Sequence, residues 1–502
     1  MKLKKIHKPI RQAFLGFIIV LGFVFIVATG GGDGGSDNEN DGVDNPCDYN
    51  TDIICEGEDC FKVCDLNEGA PENFILFNNS LLFTAYEGCK NIFQLKLFEI
   101  AETGNINEIC ELDSLITDKL IINDVLYFVQ AGRLWKYDGS NQPQGLFPDD
   151  SDDYSNVEYL MEYNDKLYFS GFNSASDKNV SYSYDELSDV PSIAGYVIPF
   201  FDNYNYTVYN NRLYFRGFTI ESGTEIWCYD ESSGNQYMAG EINPTGSAFD
   251  YTTSDFVIFQ DKLFFSANDG QNGEQLWMID DEDTMEMITN FAASDHYSVK
   301  PFAVFNGKLL VEVLEKVDID YTTANMGRLY EYDGTNPVSP LAVDEQYYSV
   351  IYYTHIYSNP YSVLNGHLYF LGHDVTTNWD GEPLLGGVRL WDYSPGEAPV
   401  RVELDDGSMG ISNCFIHNNK FILQLGLDNI YIYDGVSDPQ QLVFPSQSGL
   451  DEISLITGFN DNYFISGRTD EEGRELWKMD GSGDITLAKD FYPGTTCWCF
   501  CD

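Results

Sequence analysis

A unit recurs nine times between about residue 73 and the C-terminus of this 502-residue chain. Each copy reads as a short apolar strand, a two-residue turn and a Leu-aromatic-aromatic strand. A polar loop, a Leu-Trp strand, an Asp turn and a closing strand follow. A unit of this length cannot bury its own apolar face, so neighbouring units must stack on one another.

The turns align the copies: Asn78-Asn79, Asn123-Asp124, Asn164-Asp165, Asn210-Asn211, Gln260-Asp261, Asn306-Gly307, Asn365-Gly366, Asn418-Asn419 and Asn460-Asp461. Asn, Asp and Gly tolerate the positive φ that a type I′ turn needs at both central positions, so each pair predicts a hairpin. An apolar strand follows each turn, most clearly Leu126-Tyr127-Phe128, Leu167-Tyr168-Phe169, Leu213-Tyr214-Phe215, Leu263-Phe264-Phe265 and Leu368-Tyr369-Phe370. The third strand carries Leu134-Trp135, Ile226-Trp227, Leu276-Trp277, Leu390-Trp391 and Leu476-Trp477, with Tyr330 and Tyr431 replacing Trp in two copies. A bulky aromatic at one fixed place is what sheet-on-sheet packing between neighbours requires.

Four antiparallel strands repeated radially describe the blade of a β-propeller. The spacing between second strands, measured at Leu126, Leu167, Leu213, Leu263 and Leu309, is 41, 46, 50 and 46 residues, the length of a propeller blade. The expected fold is all-β: a single propeller of eight or nine four-stranded blades over residues 73–502. Propellers usually have about four to eight blades, and the first unit lacks both the Leu-Trp and the Asp-Gly, so it is the copy that could pack outside the ring.

The last unit, Gly473-Arg474-Glu475-Leu476-Trp477-Lys478-Met479-Asp480-Gly481 through Lys489-Asp490 and Pro493-Gly494, resembles the bacterial ELW-x-x-DGT (hyalin-like) repeat. The stretch from Asn243-Pro244-Thr245-Gly246-Ser247 to Trp277 is also similar to it. The resemblance covers roughly residues 73–494, with units three, six and eight departing from the motif. It implies a β-propeller in a secreted or surface protein and no shared catalytic motif.

The N-terminus reads as an address. Met1–Gln12 holds five basic residues and no acid, and Ala13–Ala28 is an unbroken apolar run, the pattern of a secretory signal over residues 1–30, cleaved near Ala28-Thr29-Gly30 or kept as an anchor. No Cys ends the run, which argues against a lipid anchor. Residues 31–72 form a Gly/Asp-rich and Cys-rich linker. Within it Asp37, Glu39, Asp41, Asp44 and Asp48 alternate as in a thrombospondin type 3 repeat or part of an EF-hand loop, and could supply oxygen ligands to Ca²⁺. The bland reading is a solvated acidic linker. Behind a signal sequence the cysteines read as disulfides of unassigned pairing. Cys47, Cys55, Cys60 and Cys64 precede the ring and Cys497, Cys499 and Cys501 end the chain, suggesting a covalent clasp, while Cys89 and Cys110 make a plausible internal pair.

With 27 basic and 80 acidic residues the formal net charge is −53. Phosphate recognition needs clustered Lys and Arg, so nucleic acid is excluded as a partner, and anionic membrane surfaces should repel the chain. Seven units place Asp three residues after the Trp/Tyr position: Asp138, Asp185, Asp230, Asp280, Asp333, Asp434 and Asp480. They could make a circle of carboxylates, but Asp opening a tight turn ordinarily bonds its own backbone. His367 and His373, with Asp374, offer a metal site if they share a face, and the acid runs 149–153 and 280–283 offer cation-binding loops. There is no Gly-x-Ser-x-Gly elbow, no His-Glu-x-x-His and no phosphate loop in the sequence.

The functional expectation is a binding or adhesion scaffold, secreted or at the cell surface and Ca²⁺-stabilised, whose partner is a protein or glycan on the cell surface or in the medium. Its contact surface is expected on variable loops, first at the 371–388 insertion with Trp379, Asp380 and Glu382. Two alternatives stand beside it: an extracellular enzyme acting on polysaccharide through the central channel, and a structural envelope component.

Overall fold

The computed structural model describes residues 53–56, 59–62, 71–89, 92–147, 153–186, 190–197, 206–249, 256–319, 322–341, 349–350, 361–377, 383–404, 410–426, 429–442, 450, 452–469, 473–481 and 483–491. The chain divides into two compact units, Met1–Thr51 and Asp52–Asp502, and every described residue belongs to the second. That unit holds a short hairpin, Ile53–Glu56 paired with Asp59–Lys62, and nine antiparallel sheets of consecutive strands. The nine blades cover residues 72–111, 116–145, 158–195, 206–240, 257–287, 296–340, 349–401, 411–442 and 452–489. The first unit is therefore a full blade despite its missing Leu-Trp. In blade 7 the first strand comes in two pieces, Ser349–Val350 and Tyr361–Leu364, both paired with His367–Thr377.

Turn chemistry sets each hairpin. Both turn residues have positive φ in eight of the nine pairs, from Asn78 (46°) and Asn79 (59°) to Asn418 (48°) and Asn419 (60°); only Gly307 and Gly366 replace a side-chain-bearing second residue. The second strands then bury their Leu-aromatic-aromatic triplets almost completely, as at Leu263, Phe264 and Phe265.

Among the described residues the apolar cores lie between blades, and there are nine of them. Phe128 and Leu126 pack with Ile75 and Leu97 across blades 1 and 2, and Leu310 and Phe302 pack with Phe370 and Trp391 across blades 6 and 7. Trp135, Trp227, Trp277, Trp391 and Trp477 each join the core shared with the preceding blade, as the repeat position demanded. Three of these indoles also donate Nε1–H to a carbonyl of the neighbouring second strand, at Ala267 (3.0 Å), Gly372 (3.3 Å) and Gly467 (3.1 Å).

The ninth core closes the ring. Leu81, Phe83 and Phe98 of blade 1 meet Phe464, Leu476 and Phe491 of blade 9. No strand is exchanged at this seam, since each of the two blades owns four consecutive strands. Lys489 spans it, with Nζ 2.8 Å from Glu87 and within about 5 Å of the Phe98 and Phe491 ring centres.

First strands of several neighbouring blades approach one another, as in blades 2 and 3, 5 and 6, 8 and 9, and 9 and 1. They are the inner strands, and in the inner wall Asp118 of blade 2 accepts the Leu160 N–H of blade 3 at 2.9 Å. Lys119, beside it, is solvent-accessible, yet burial among surrounding protein pushes its ammonium below the usual range. Antiparallel alternation puts the first–second and third–fourth turns at one end of every blade, and the second–third loops and blade-to-blade connections at the other.

Two expectations are corrected. The 371–388 stretch is mostly paired strand, because His367–Thr377 runs against Pro383–Tyr393 with Thr377 opposite Pro383. Cys110 is a free thiol. Cys89 pairs opposite Ile92, whereas Cys110 lies opposite Leu97. The two are thus offset by five residues along the strand, roughly 16 Å and beyond disulfide reach.

Candidate functional site

The turn end of the ring is a belt of blade-to-blade clasps. The first turn residue of one blade donates its amide to a turn of the next: Asn78 to the Asp124 carbonyl (3.3 Å), Asn210 to Asp281 (3.1 Å), Gln260 to Asp333 (3.0 Å), Asn365 to Asp434 (3.0 Å) and Asn418 to Asn460 (3.1 Å). Ion pairs reinforce the belt. Lys166 reaches Glu231 at 2.5 Å, and Arg212 donates to both Asp283 oxygens at 2.6 Å.

The repeated aspartates belong to this belt and serve it locally. Asp138, Asp230, Asp280, Asp333, Asp434 and Asp480 each accept a backbone N–H two to four residues on. These donors pull the Asp138 and Asp333 carboxyls down to about 2. They are turn residues, and Asp283 of the 280–283 run is occupied by Arg212 and Tyr214.

The loop end is built differently. Glu225, Gln275 and Glu475 occupy one repeat position, each fully buried, and each holds the connection leaving its own blade. Glu225 accepts the N–H groups of Ile242 (2.9 Å) and Asn243 (3.0 Å). Glu475 accepts the Phe491 N–H at 2.7 Å. Gln275 accepts from Thr289 Oγ1 (2.8 Å) and the Phe291 N–H (3.2 Å). Burial pushes the Glu225 carboxyl up to about 7 against the lowering effect of its two donors. The sequence displayed this position as the Glu of Glu-Leu-Trp at Glu475, but its work as a loop support was not read from it. Elsewhere the same position carries Lys96, Arg133, Val180, Arg328, Arg389 and Asn429, so the chemistry under each loop changes from blade to blade.

Two adjacent hairpins run longest here. Blade 6 extends Lys308–Ile319 against Thr322–Tyr332, and blade 7 extends His367–Thr377 against Pro383–Tyr393; the corresponding strands of blades 2 to 5 have five to eight residues. At the base of the blade 6 arm, Glu315 accepts Tyr330 OH at 2.6 Å and faces the Arg328 guanidinium at 3.4 Å.

The other sequence candidates separate. His367 lies at the turn end, 2.8 Å from Asp392, while His373 lies six residues further along the same strand, roughly 20 Å away. They share no metal site, and among the described residues no three His, Cys, Asp or Glu side chains converge as metal ligands. Trp379, Asp380 and Glu382 fall between Thr377 and Pro383 of the blade 7 arm, outside the described residues. Asp37, Glu39, Asp41, Asp44, Asp48, Cys47, Cys64, Cys497, Cys499 and Cys501 are outside them as well. The buried thiols of Cys228 and Cys414, pushed up to about 11 and about 12 by burial, are unreactive core groups.

No protein-family model matches the chain, and no curated protein matches it. Among solved structures it is similar to the β-propeller domain of the Trilobed protease from Pyrococcus furiosus (12% identity, TM-score 0.35, covering 75% of this chain and 95% of that one). It is also similar to the acylaminoacyl peptidase of Pyrococcus horikoshii (13% identity, TM-score 0.37, covering 80% of this chain and 58% of that one). A prolyl endopeptidase gives 13% identity and a TM-score of 0.40, covering 82% of this chain and 54% of that one. The chain thus spans little more than half the length of these two peptidases. At such identities and scores the fold reading rests on the nine sheets and nine cores, and no activity follows.

Proposed function

We propose that this chain is an exported binding scaffold of the ELW-x-x-DGT type, whose ligand is a protein or glycan at the cell surface or in the surrounding medium. The observation that carries the reading is the pair of long arms on adjacent blades 6 and 7, rising from the loop end of a ring whose turn end is tied blade to blade. A rigid ring presenting extended loops is the usual arrangement for recognition. Glu225, whose carboxyl burial pushes up to about 7, is fully buried and engaged by two backbone N–H groups, so it supports a loop rather than performing acid–base chemistry.

Shortening the blade 7 arm by joining His373 to Val388 through a two-residue Asn-Gly turn tests the proposal. Binding to whole cells and to an immobilised glycan panel is expected to fall at least tenfold while the melting temperature holds. Unchanged binding to every target would remove the arm from the function. Calcium is part of the proposal through Asp37, Glu39, Asp41, Asp44 and Asp48. Its check is a melting temperature that rises with millimolar Ca²⁺ over EDTA and not with NaCl of matched ionic strength.

A further inference from the structure

The inner strands carry an unexplained regularity at the turn end. The residue two places before each hairpin turn lies opposite the buried Leu or aromatic that opens the second strand. Seven blades place an aliphatic there: Leu76, Ile121 and Val208 in blades 1, 2 and 4, Ile258, Val304 and Val363 in blades 5 to 7, and Ile416 in blade 8. All seven are exposed, from 39% at Ile121 and Val304 to 60% at Leu76. The residue opposite each shares its sheet face and lies in an inter-blade core, so the exposure comes from the place of this position at the turn-end edge of that face. Glu162 and Gly458 fill it in blades 3 and 9.

One exposed aliphatic is ordinary; the same position exposed in seven blades of one ring makes a girdle of aliphatics on the inner strands at the turn end, interrupted at blades 3 and 9. Its surroundings are ionised. Asp138, Asp230, Asp333 and Asp434 lie at the same end with carboxyls held below the usual range, Asp230 first by the Ser232 hydroxyl and the other three by turn N–H groups. Asp124, Asp165, Asp261 and Asp461 sit exposed in the hairpin turns. Of the cations that directly follow the turns, Lys166 is engaged by Glu231, Arg212 by Asp283 and Lys308 by Glu331, whereas Lys262 and Lys420 make no ion pair among the described residues.

We infer that the girdle is a docking site for a cationic protein segment with aliphatic side chains at its centre. The apolar ring supplies the buried area and the encircling carboxylates select basic flanks. A second copy of this chain is disfavoured because the net charge of −53 repels itself, and an anionic bilayer is repelled for the same reason. The site lies at the opposite end of the blades from the arms, so it is a second surface rather than part of the proposed ligand site.

The test is fluorescence anisotropy of the full chain with a labelled peptide of four leucines flanked on each side by two lysines. Control peptides replace the leucines with serine or the lysines with glutamate. Binding of the first peptide is expected, about tenfold or more weaker for either control. The combined variant Val208→Thr, Ile258→Thr and Val304→Thr keeps β-branching and should lose binding to the same degree, with an unchanged melting temperature. The pair Leu76→Gln and Val363→Thr, at the two most exposed positions, should act likewise and serves if the triple variant does not fold. The shortened blade 7 arm should leave peptide binding intact. Equal affinity for the serine peptide, or insensitivity to both sets of girdle substitutions, overturns the inference. So would sedimentation as a dimer that the girdle substitutions dissociate, or girdle-dependent binding to phosphatidylserine vesicles.

Discussion

The two ends of the ring solve the same joining problem with opposite chemistry. At the turn end, neighbouring blades are linked by exposed side-chain amides and partly exposed ion pairs, repeated with little change: Asn78, Asn210, Gln260 and Asn365 all reach a carbonyl of the next blade. At the loop end, buried groups such as Glu225, Gln275 and Glu475 hold the connection from inside, and the residue type at that position changes around the ring. Solvent-exposed links are individually weak, so many are used and any one can be lost. Buried links are few, and each leaves orphaned backbone donors if removed. The end that varies between blades is therefore the end where blades 4, 5 and 9 each depend on one side chain.

The largest expected effect breaks that dependence directly. Glu225→Ala leaves the Ile242 and Asn243 N–H groups buried without their acceptor and should cost about 3 kcal/mol in denaturant-measured stability. Amide exchange should rise first in 241–249. A loss below about 1 kcal/mol would mean that the loop end is no more dependent on single groups than the turn end.

The same residue gives the two ends opposite pH responses. Glu225 is raised from 4.5 to about 7, so the folded state holds its proton where the unfolded chain has released it. Its contribution is fully present below about pH 4.5 and lost as pH rises through 7, of the order of 2 kcal/mol. Asp138 and Asp333 are lowered, so theirs is present above the ordinary aspartate range and lost as pH falls toward 2. Glu225→Gln should flatten the fall in stability between pH 4.5 and 7 and leave the acid limb unchanged. Thermal melts across that range decide it; identical slopes for the two proteins would sink the assignment.

At the turn end, Arg212→Met should cost only about 1 kcal/mol, because Asp283 is partly exposed and retains the Tyr214 hydroxyl. The effect should shrink further in 0.5 M NaCl, whereas the Glu225→Ala loss should not. A salt-independent loss at Arg212 would show the turn end to be as desolvated as the loop end.

How much of this was legible follows the same division. The turn dipeptides were readable because positive φ is a local demand that Asn, Asp and Gly meet within two residues. The Trp position was readable because it is an inter-blade packing site in five blades. The blade count was less so, since blade 1 uses Leu97-Phe98 where others use Leu-Trp, and packing accepts either. Cys89 and Cys110 looked like partners because they are near in sequence, but hairpin register, which no cysteine spacing reveals, sets them apart. Glu225 and Glu475 were visible as letters of a motif and silent as supports, because their partners lie 16 to 18 residues downstream. The girdle was hidden by its own composition: Ile258 within Phe256-Val257-Ile258-Phe259 reads as core, and only the ring geometry exposes it.

The smallest effect is the single clasp, and the chain carries its own control. Asn306-Gly307 and Asn365-Gly366 are the same turn dipeptide, with Asn φ values of 49° and 53°. Asn365 donates to the Asp434 carbonyl at 3.0 Å, whereas Asn306 makes no such bond among the described residues. Glycine accepts the left-handed backbone at both sites, so Asn306→Gly and Asn365→Gly share the same entropic cost in the unfolded chain. Their difference isolates the clasp and should be about 0.5 kcal/mol, with Asn365→Gly the less stable. A difference of zero would mean that the belt of amides records how the blades happen to meet without holding them. The apolar core between blades 7 and 8, built from Tyr369, Phe421 and Tyr433, would then be sufficient to fix that interface alone.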